Sequence, residues 1–320
     1  MIAGYISGTR VDLARVKERD GSVVLTGQAS FISKNFSNLE SILNLYLKKN
    51  KEDISFACFG VAGPVINNEV TTTNLPWHIR ASAVESRFSI GRVKLLNDIV
   101  ATAYGLMELK PDRFFVINEG LRPDHGNLGL IAAGSGLGEA LIYRDQDSFT
   151  PYASEGGHAD FAPGSQLEVE LWEYIYSERG QVEVEDVISL GGLERIYNFG
   201  LDSRGLTPAG WFEKADDKAG AIIEQALSGR DEHAGRALDL FIDCYASEAA
   251  NLALKGMTLG GIYIGGLIAP QIITALDKGR FMERFVKRGK MEALLARMPV
   301  GVIIEEKTAL LGAAAVAVRS

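Results

Sequence analysis

The chain has 320 residues, of which 47% are hydrophobic and 23% are charged, and its formal net charge is −8. This length exceeds the usual size of a single hydrophobic core, so it predicts one large domain or two domains of medium size. An acidic chain without a basic stripe is not expected to be a general nucleic-acid binder, although its charge is compatible with a local ATP site.

The first third of the chain alternates patterns that are typical of strands and helices. A turn of small residues, Ser7-Gly8-Thr9, joins the first two strands. Ser37 and Glu40 form a capping box that predicts the start of the first helix. The predicted strands are 1–6, 11–16, 23–29, 54–60 and 92–96, and the predicted helices are 38–48 and 99–109.

The rest of the chain begins with a second set of strands and becomes mainly helical after Pro163. Strand patterns cover 114–118, 128–133, 139–143, 261–265 and 300–304. Helical patterns cover 166–178, 184–188, 211–227, 232–255, a segment opened by Pro270, and 308–318. Because two strand-turn-strand units recur, we expect a duplicated α/β architecture with a ligand site at the mouth between its halves.

The two cysteines indicate a reducing compartment. Cys58 lies in an apolar run and Cys244 in a helical run, without the spacing of a metal site, so both are predicted to be buried free thiols. No signal-peptide pattern and no apolar run of roughly 20 residues is visible. These features predict a cytoplasmic protein that does not associate with membranes.

The segment Gly134-Ser135-Gly136-Leu137-Gly138 connects two predicted strands. Glycines let backbone N–H groups approach an anion closely, and the Ser135 hydroxyl adds a donor. A phosphate-binding turn and a purely structural turn both fit this pattern.

The segment 153–161 places Glu155, His158 and Asp160 around a pair of glycines. Glu155 can accept hydrogen bonds from sugar hydroxyls, and His158 can donate or accept them. A structural histidine and a metal site are the alternatives. A zinc site is not expected, because the other histidines lie in unrelated contexts.

Asn97 and Asp98 end a predicted buried strand immediately before a helix. One reading is that one of these residues caps the helix. The other is that Asp98 is a general base, because a hydroxyl that accepts a phosphoryl group must lose its proton.

Several fragments, in the same order along essentially the whole chain, resemble the bacterial glucokinase family of the actin-like ATPase superfamily. The string Glu-Gly-Gly-His-x-Asp-Phe-Ala-Pro is highly specific for that family. The fragments that carry the resemblance are Gly60-Val61-Ala62-Gly63-Pro64-Val65, Thr73-Asn74-Leu75-Pro76-Trp77, Leu96-Asn97-Asp98, Gly134-Ser135-Gly136-Leu137-Gly138, Ser154 to Pro163 and Gly260-Gly261-Ile262-Tyr263-Ile264-Gly265-Gly266.

The resemblance implies an α/β, two-lobed, actin-like ATPase (ribonuclease H-like) fold with a ligand cleft between the lobes. It implies a small domain, 1–108 completed by helix 306–320, and a large domain, 109–305. It also implies a cytoplasmic homodimer that uses ATP and Mg²⁺ to phosphorylate the 6-hydroxyl of glucose at the start of glycolysis.

The same resemblance assigns site residues. Asp98 would be the catalytic base, and the sugar ligands would be Asn97, Asp98, Glu155, His158 and Glu185. Glu185 rests on alignment against 188–192 rather than on a distinctive motif. The residues that would hold ATP are Gly8, Thr9, Gly134, Ser135, Gly136, Gly265 and Gly266.

The nucleotide side departs from the family pattern. Where the family has Asp-x-Gly-Gly-Thr, this chain has Tyr5-Ile6-Ser7-Gly8-Thr9, so the aspartate that helps to position Mg²⁺–ATP is replaced by an uncharged phenol. Asp12 is a candidate for a substitute carboxylate. Leu267 stands where the family usually has glycine, and it would cost about 1–2 kcal/mol if that backbone requires a positive φ.

Two functions of different classes follow from these features. The first is a working glucokinase. The second is a sugar-binding sensor or regulator with weak or no phosphoryl transfer, which Tyr5, Ser7 and Leu267 favour. A different hexose or a different phosphate donor is a further alternative.

Overall fold

The structure is a computed structural model, and it describes residues 1–48, 53–121, 126–146 and 148–320. The described residues form two compact units, Met1–Pro111 with Glu305–Ser320, and Asp112–Ile304. The division into domains 1–108 with 306–320 and 109–305 stays a prediction. No helix among the described residues has both the length and the apolar character that crossing a membrane requires.

The strands are numbered here in chain order. They are β1 (Ile2–Ile6), β2 (Arg10–Arg19), β3 (Ser22–Ile32), β4 (Phe56–Val61), β5 (Glu69–Thr71), β6 (His78–Arg80), β7 (Arg92–Asn97), β8 (Phe114–Asn118), β9 (Leu128–Ala133), β10 (Leu137–Asp145), β11 (Ser148–Ser154), β12 (Gly261–Gly266) and β13 (Val300–Ile303). The predicted strands 114–118 and 128–133 are confirmed at both ends.

The helices are numbered in the same way. They are α1 (Leu39–Lys48), α2 (Ala81–Phe88), α3 (Asp98–Leu106), α4 (Gln166–Arg179), α5 (Val184–Val187), α6 (Leu190–Asp202), α7 (Gly210–Lys214), α8 (Lys218–Ser228), α9 (Glu232–Gly256), α10 (Ile273–Leu276), α11 (Arg280–Val286), α12 (Glu292–Leu295) and α13 (Thr308–Arg319). Short 3₁₀ turns cover Ser33–Asn35, Pro111–Arg113, Gly156–His158, Ala269–Ile272 and Gly289–Met291.

The main sheets of the two units share one topology. In the first unit the strand order is β3-β2-β1-β4-β7, and in the second it is β11-β10-β9-β12-β13-β8. In each sheet an antiparallel three-stranded meander continues into two parallel strands, and β8 then adds an antiparallel edge in the second unit. The predicted duplicated α/β architecture is therefore confirmed.

The cores follow the alternation of side chains along these strands. In the first unit, Ile2 and Ile6 point to one face of the sheet, where α1 packs, while Ala3 and Tyr5 point to the opposite face, against α3 and α13. In the second unit, α9 is the central buried helix.

Two of the predicted helices differ in detail from those in the structure, and α2 and α6 were not predicted. Asn38 rather than Ser37 caps α1, because its Oδ1 accepts a hydrogen bond from the N–H of Ser41, 2.9 Å away. The single helix predicted over 211–227 is two helices. Asp217 interrupts it, because its side chain accepts a hydrogen bond from Gly220 N and caps α8.

Both cysteines are buried free thiols, as predicted. Burial raises the pKa of Cys58 to about 12 and raises the pKa of Cys244 well above its ordinary value. Neither is therefore a reactive thiolate near neutral pH.

Candidate active site

The turn between β1 and β2 is closed by its own side chains. Ser7 N–H donates to the carbonyl of Arg10 at 2.9 Å, and the Ser7 hydroxyl donates to the same oxygen at 3.0 Å. A Cβ atom on residue 8 would lie 2.7 Å from Cβ of Asn74, so glycine is needed for Asn74 to pack on the turn. The hydroxyl of Ser7 thus stabilises the hairpin, and Thr9 next to it is exposed.

Tyr5 lies directly opposite Asp12 in the β1–β2 ladder, so their side chains point to the same face of the sheet. Burial, and next the negative charge of Asp98, raise the pKa of the Tyr5 phenol above its ordinary value. Tyr5 is therefore neutral at physiological pH, as expected from the sequence. The Asp12 carboxylate accepts a hydrogen bond from the Ser30 hydroxyl and lies 2.9 Å from Nε of Arg10.

Asn97 caps α3, so the capping interpretation is confirmed for this residue. Its Oδ1 accepts a hydrogen bond from Ile99 N at 3.0 Å, and its Nδ2 donates to the carbonyl of Gly63 at 3.1 Å. Asp98 is the first residue of α3, and its Oδ1 accepts a hydrogen bond from the same N–H at 2.9 Å. These contacts fix both side chains at the carboxyl end of β7.

The glycine-rich turn of the second unit is held by a carboxylate. Leu137 N–H donates to Oε2 of Glu185 at 2.7 Å, and a Cβ atom on residue 136 would overlap that oxygen. Gly134 N–H donates to the carbonyl of Gly136 at 2.8 Å, which makes the turn tight, and β10 begins at Leu137 rather than at the predicted residue 139. The structure thus brings Glu185 to the turn that contains Ser135, which is itself exposed.

The glycines at the end of β12 border the same turn. Gly265 and Gly266 pair with Ala132 and Ala133 of β9, immediately before Gly134. The structure therefore brings both of these predicted ATP residues to the strand that leads into the turn.

The backbone at Leu267 does not require a positive φ, so the condition for strain there is not met. The positive φ of this segment, 87°, belongs to Gly266, and Leu267 itself is not among the residues with positive φ. Leu267 N–H donates to the carbonyl of Ala133 at 2.8 Å, and its side chain packs beside Gly134. Leu267 therefore carries no backbone cost and flanks the glycine-rich turn with an apolar side chain that is 56% exposed.

The loop Glu155-Gly156-Gly157-His158 lies against the start of β10. Its glycines do not have positive φ. A Cβ atom on residue 156 would overlap Oε2 of Glu139, and one on residue 157 would overlap the carbonyl oxygen of Leu137. The glycines are needed because the backbone approaches β10 so closely.

His158 has a carboxylate partner that the sequence reasoning missed. Its Nδ1 lies 2.7 Å from Oε2 of Glu183. This hydrogen bond is the largest influence and raises the pKa of His158. Desolvation opposes it, and the charges of Glu185, Glu183 and Glu155 add to the rise. His158 is therefore close enough to Glu155 and Glu185 for an electrostatic interaction with both carboxylates. Glu183 sits in an acidic run, 183 to 186, but only the tertiary fold pairs it with a histidine.

We expect the substitution Glu183→Gln to lower the pKa of His158, because glutamine keeps the shape but removes the charge that favours imidazolium. Titration of the histidine ring protons by NMR measures this pKa. Glu69→Gln is the matched control, since Glu69 lies 3.5 Å from a different histidine, His78, and should leave the His158 titration unchanged. An unshifted His158 in the Glu183 variant would contradict the assigned partner.

The predicted site residues form two sets, one in each unit. In the first unit, Asp98 lies near Tyr5 of the β1–β2 hairpin, and Asn97 precedes it as the cap of α3. In the second unit, Glu155, His158 and Glu185 lie around the 134–138 turn. Two main sheets of one topology, each with a small-residue turn in its first hairpin, are the actin-like ATPase fold.

The comparisons with known proteins identify the family within this class. The glucokinase family model matches residues 2–320. A glucokinase from a Nostoc species is 35% identical over all of this chain and 99% of its own length. The crystal structure of a glucokinase from an Antarctic psychrotroph is 30% identical, has a TM-score of 0.86, and is matched over 100% of this chain and 99% of its own.

A third comparison supports the fold alone. The crystal structure of Balamuthia mandrillaris glucokinase in complex with glucose is 20% identical, with a TM-score of 0.84, and is matched over 100% of this chain and 93% of its own. From the family model and the full-length relative, the chain belongs to the glucokinase family and is an ATP-dependent hexose kinase.

Proposed function

We propose that this chain transfers the γ-phosphoryl group of ATP to the 6-hydroxyl of D-glucose, with Asp98 as the catalytic base. The observation that carries the proposal is the fixed position of Asp98 at the start of α3, where Ile99 N–H holds one carboxylate oxygen. A carboxylate oriented in this way can accept the proton that the hydroxyl loses as the new P–O bond forms.

The sugar ligands in this proposal are Asn97, Asp98, Glu155, His158 and Glu185. Four of them, Asn97, Asp98, His158 and Glu185, have a hydrogen-bonding partner that orients the side chain, which reduces the ordering cost of binding. Oε2 of Glu185 accepts a hydrogen bond from Leu137 N–H, so Oε1 is the oxygen proposed to bind a sugar hydroxyl.

The ATP ligands are Gly8 and Thr9 of the first hairpin, Gly134, Ser135 and Gly136 of the second, and Gly265 with Gly266 near the adenosine. The glycines support this proposal because they have no side chain where backbone N–H groups would approach phosphates, and the hydroxyls of Thr9 and Ser135 are additional donors. Phosphoryl transfer depends mainly on positioning and electrostatic stabilisation, which such turns supply.

Mg²⁺ usually keeps several waters and binds through one or two carboxylates together with substrate phosphates. Here Tyr5 is neutral, and Asp12 is engaged by Arg10 and Ser30. No cluster of three or more His, Cys, Asp or Glu side chains that could hold a metal ion occurs within the described ranges. The described residues thus offer no cage of protein ligands, and Mg²⁺ enters the proposal as the companion of ATP.

We further propose a cytoplasmic homodimer. Two buried free thiols are compatible with a reducing compartment, and the dimer rests on the family resemblance alone.

A coupled assay of ADP release with glucose, ATP and Mg²⁺ tests the proposed reaction. We expect a turnover of about 1–100 s⁻¹, and we expect mannose, galactose and polyphosphate to be poorer substrates. A turnover below about 10⁻³ s⁻¹ would overturn the proposal. If glucose alone then raised the melting temperature, the sensor hypothesis, which the neutral Tyr5 favours, would replace it.

A further inference from the structure

A buried carboxyl group lies directly beneath the Glu155–His158 loop. Glu139 is on β10, is 4% exposed and pairs with Ser154 of β11. The Ser154 hydroxyl donates to the carbonyl of Glu139 at 3.0 Å and accepts from Gly156 N–H at 3.2 Å. The backbone of Glu139 is therefore connected to the loop through one serine.

The side chain of Glu139 makes an even closer approach to the loop. Its Oε2 fills the space that a Cβ atom on residue 156 would need, so any displacement of this oxygen changes the support under the loop. Its Oε1 is buried and has no hydrogen-bond partner among the described residues. A charged carboxylate is poorly accommodated here, whereas a neutral carboxyl group is tolerated better.

The groups that face Glu139 increase this preference for the neutral form. Desolvation, and then the charge of Glu248 on α9, raise the pKa of Glu139 to about 7, while Lys255 on the same helix opposes the shift. Tyr245, also on α9, is the third titratable neighbour, and its own pKa is raised partly by Glu139.

We propose that Glu139 is a positioning residue that supports the Glu155–His158 loop in its sugar-binding position while its carboxyl group is neutral and releases the loop when that group ionises. This inference rests on the proposed sugar-binding function of the loop. It predicts that glucose affinity falls as the pH rises through neutrality, because an ionised Glu139 must recruit water or move away from Glu248.

The test compares wild-type enzyme with Glu139→Gln in KM and Kd for glucose between pH 6 and 8.5. Glutamine keeps the shape and stays neutral, so both enzymes should bind glucose within about twofold of each other at pH 6. If glucose binding raises the pKa of Glu139 by about one unit, the affinity of wild type falls about tenfold once the pH exceeds both pKa values. The Glu139→Gln variant, which cannot ionise, should therefore bind glucose about tenfold more tightly than wild type at pH 8.5. Because His158 titrates in both enzymes, its effect cancels in the ratio of their glucose affinities, and the pH dependence of this ratio reports on Glu139 alone.

Glu248→Gln is the matched control. Glu248 is also buried with a raised pKa, but its carboxylate accepts a hydrogen bond from Asn251 rather than contacting the loop. Because the charge of Glu248 raises the pKa of Glu139, this variant should keep the fall in affinity with pH but shift it to lower pH. An affinity ratio between Glu139→Gln and wild type that does not change with pH, or a loss in kcat alone, would overturn the proposal.

A second measurement covers the case in which Glu139→Gln does not fold. Gly156→Ala should weaken glucose binding strongly in the wild-type background and much less in the Glu139→Ala background, because the two atoms closer than 3.0 Å to the new methyl group both belong to the Glu139 carboxyl group. Equal losses in both backgrounds would overturn the contact. Wild-type enzyme that binds no glucose at any pH would instead refute the proposed function.

Discussion

Replacing Asp98 by asparagine should lower kcat by about 10²–10⁴-fold while changing glucose affinity only a few-fold, because positioned general bases contribute a factor of that size. Asparagine keeps the oxygen that accepts the hydrogen bond from Ile99 N–H, so the start of α3 should be preserved. The amide cannot accept the proton of the 6-hydroxyl. Steady-state kinetics with a separate glucose titration measure the two effects.

Asp112→Asn is the control for this substitution, since its side chain is 68% exposed and its ion pair is with the adjacent Arg113. It should leave both parameters unchanged. Equal losses of affinity and rate in the Asp98 variant would show that Asp98 is mainly a sugar ligand. An unchanged kcat would mean that another group accepts the proton.

The backbone framework was predictable because strands in α/β units leave strong local signals. The apolar runs at β8 and β9 are bounded by turn residues, so their ends follow from the sequence. The short hairpin of β5 and β6 was missed because three-residue strands are too short for any alternation to be read.

The longer helix α6 was missed for a different reason. The helix α6 begins with Leu190-Gly191-Gly192, and paired glycines argue against a helix. Gly192 is nevertheless required there, because a Cβ atom would overlap the carbonyl oxygen of Val187. Tertiary packing overrides intrinsic preference at this position.

The motif residues of the site were predictable, but their partners were not. Asn97 and Asp98 stand out because polar residues end a buried strand. The sequence indicates the importance of Glu139 only weakly. Glu139 alternates with Leu137 and Leu141 along β10, so it places a carboxylate on a strand face that is otherwise apolar. Its contact with Gly156 arises from the tertiary approach of a loop, which no local pattern encodes.

The support of Asp98 extends to the far end of the chain, where α13 crosses α3. A Cβ atom on residue 312 of α13 would overlap the carbonyl oxygen of Ala101 and would lie 2.5 Å from Gly105 N, so the two helices meet backbone to backbone. Gly105 makes the reciprocal approach to the carbonyl of Thr308. Any added atom at this crossing must separate the helices.

Gly312→Ala should therefore destabilise the protein by about 3 kcal/mol, which corresponds to a fall in the melting temperature of about 5–10 °C. The sign is diagnostic, because glycine to alanine inside a helix otherwise stabilises by about 1 kcal/mol. Since α3 begins with Asp98, its displacement should also reduce kcat, as an error of about 1 Å in a catalytic group can cost 10²-fold.

Gly235→Ala on α9 is the matched control, since no atom lies within 4 Å of the new Cβ position. It should raise the melting temperature slightly and leave kcat unchanged. If Gly312→Ala behaved in the same way, the close crossing of α3 and α13 would be wrong. If it lowered stability without lowering kcat, the orientation of Asp98 would have to come from β7 and the Asn97 cap alone.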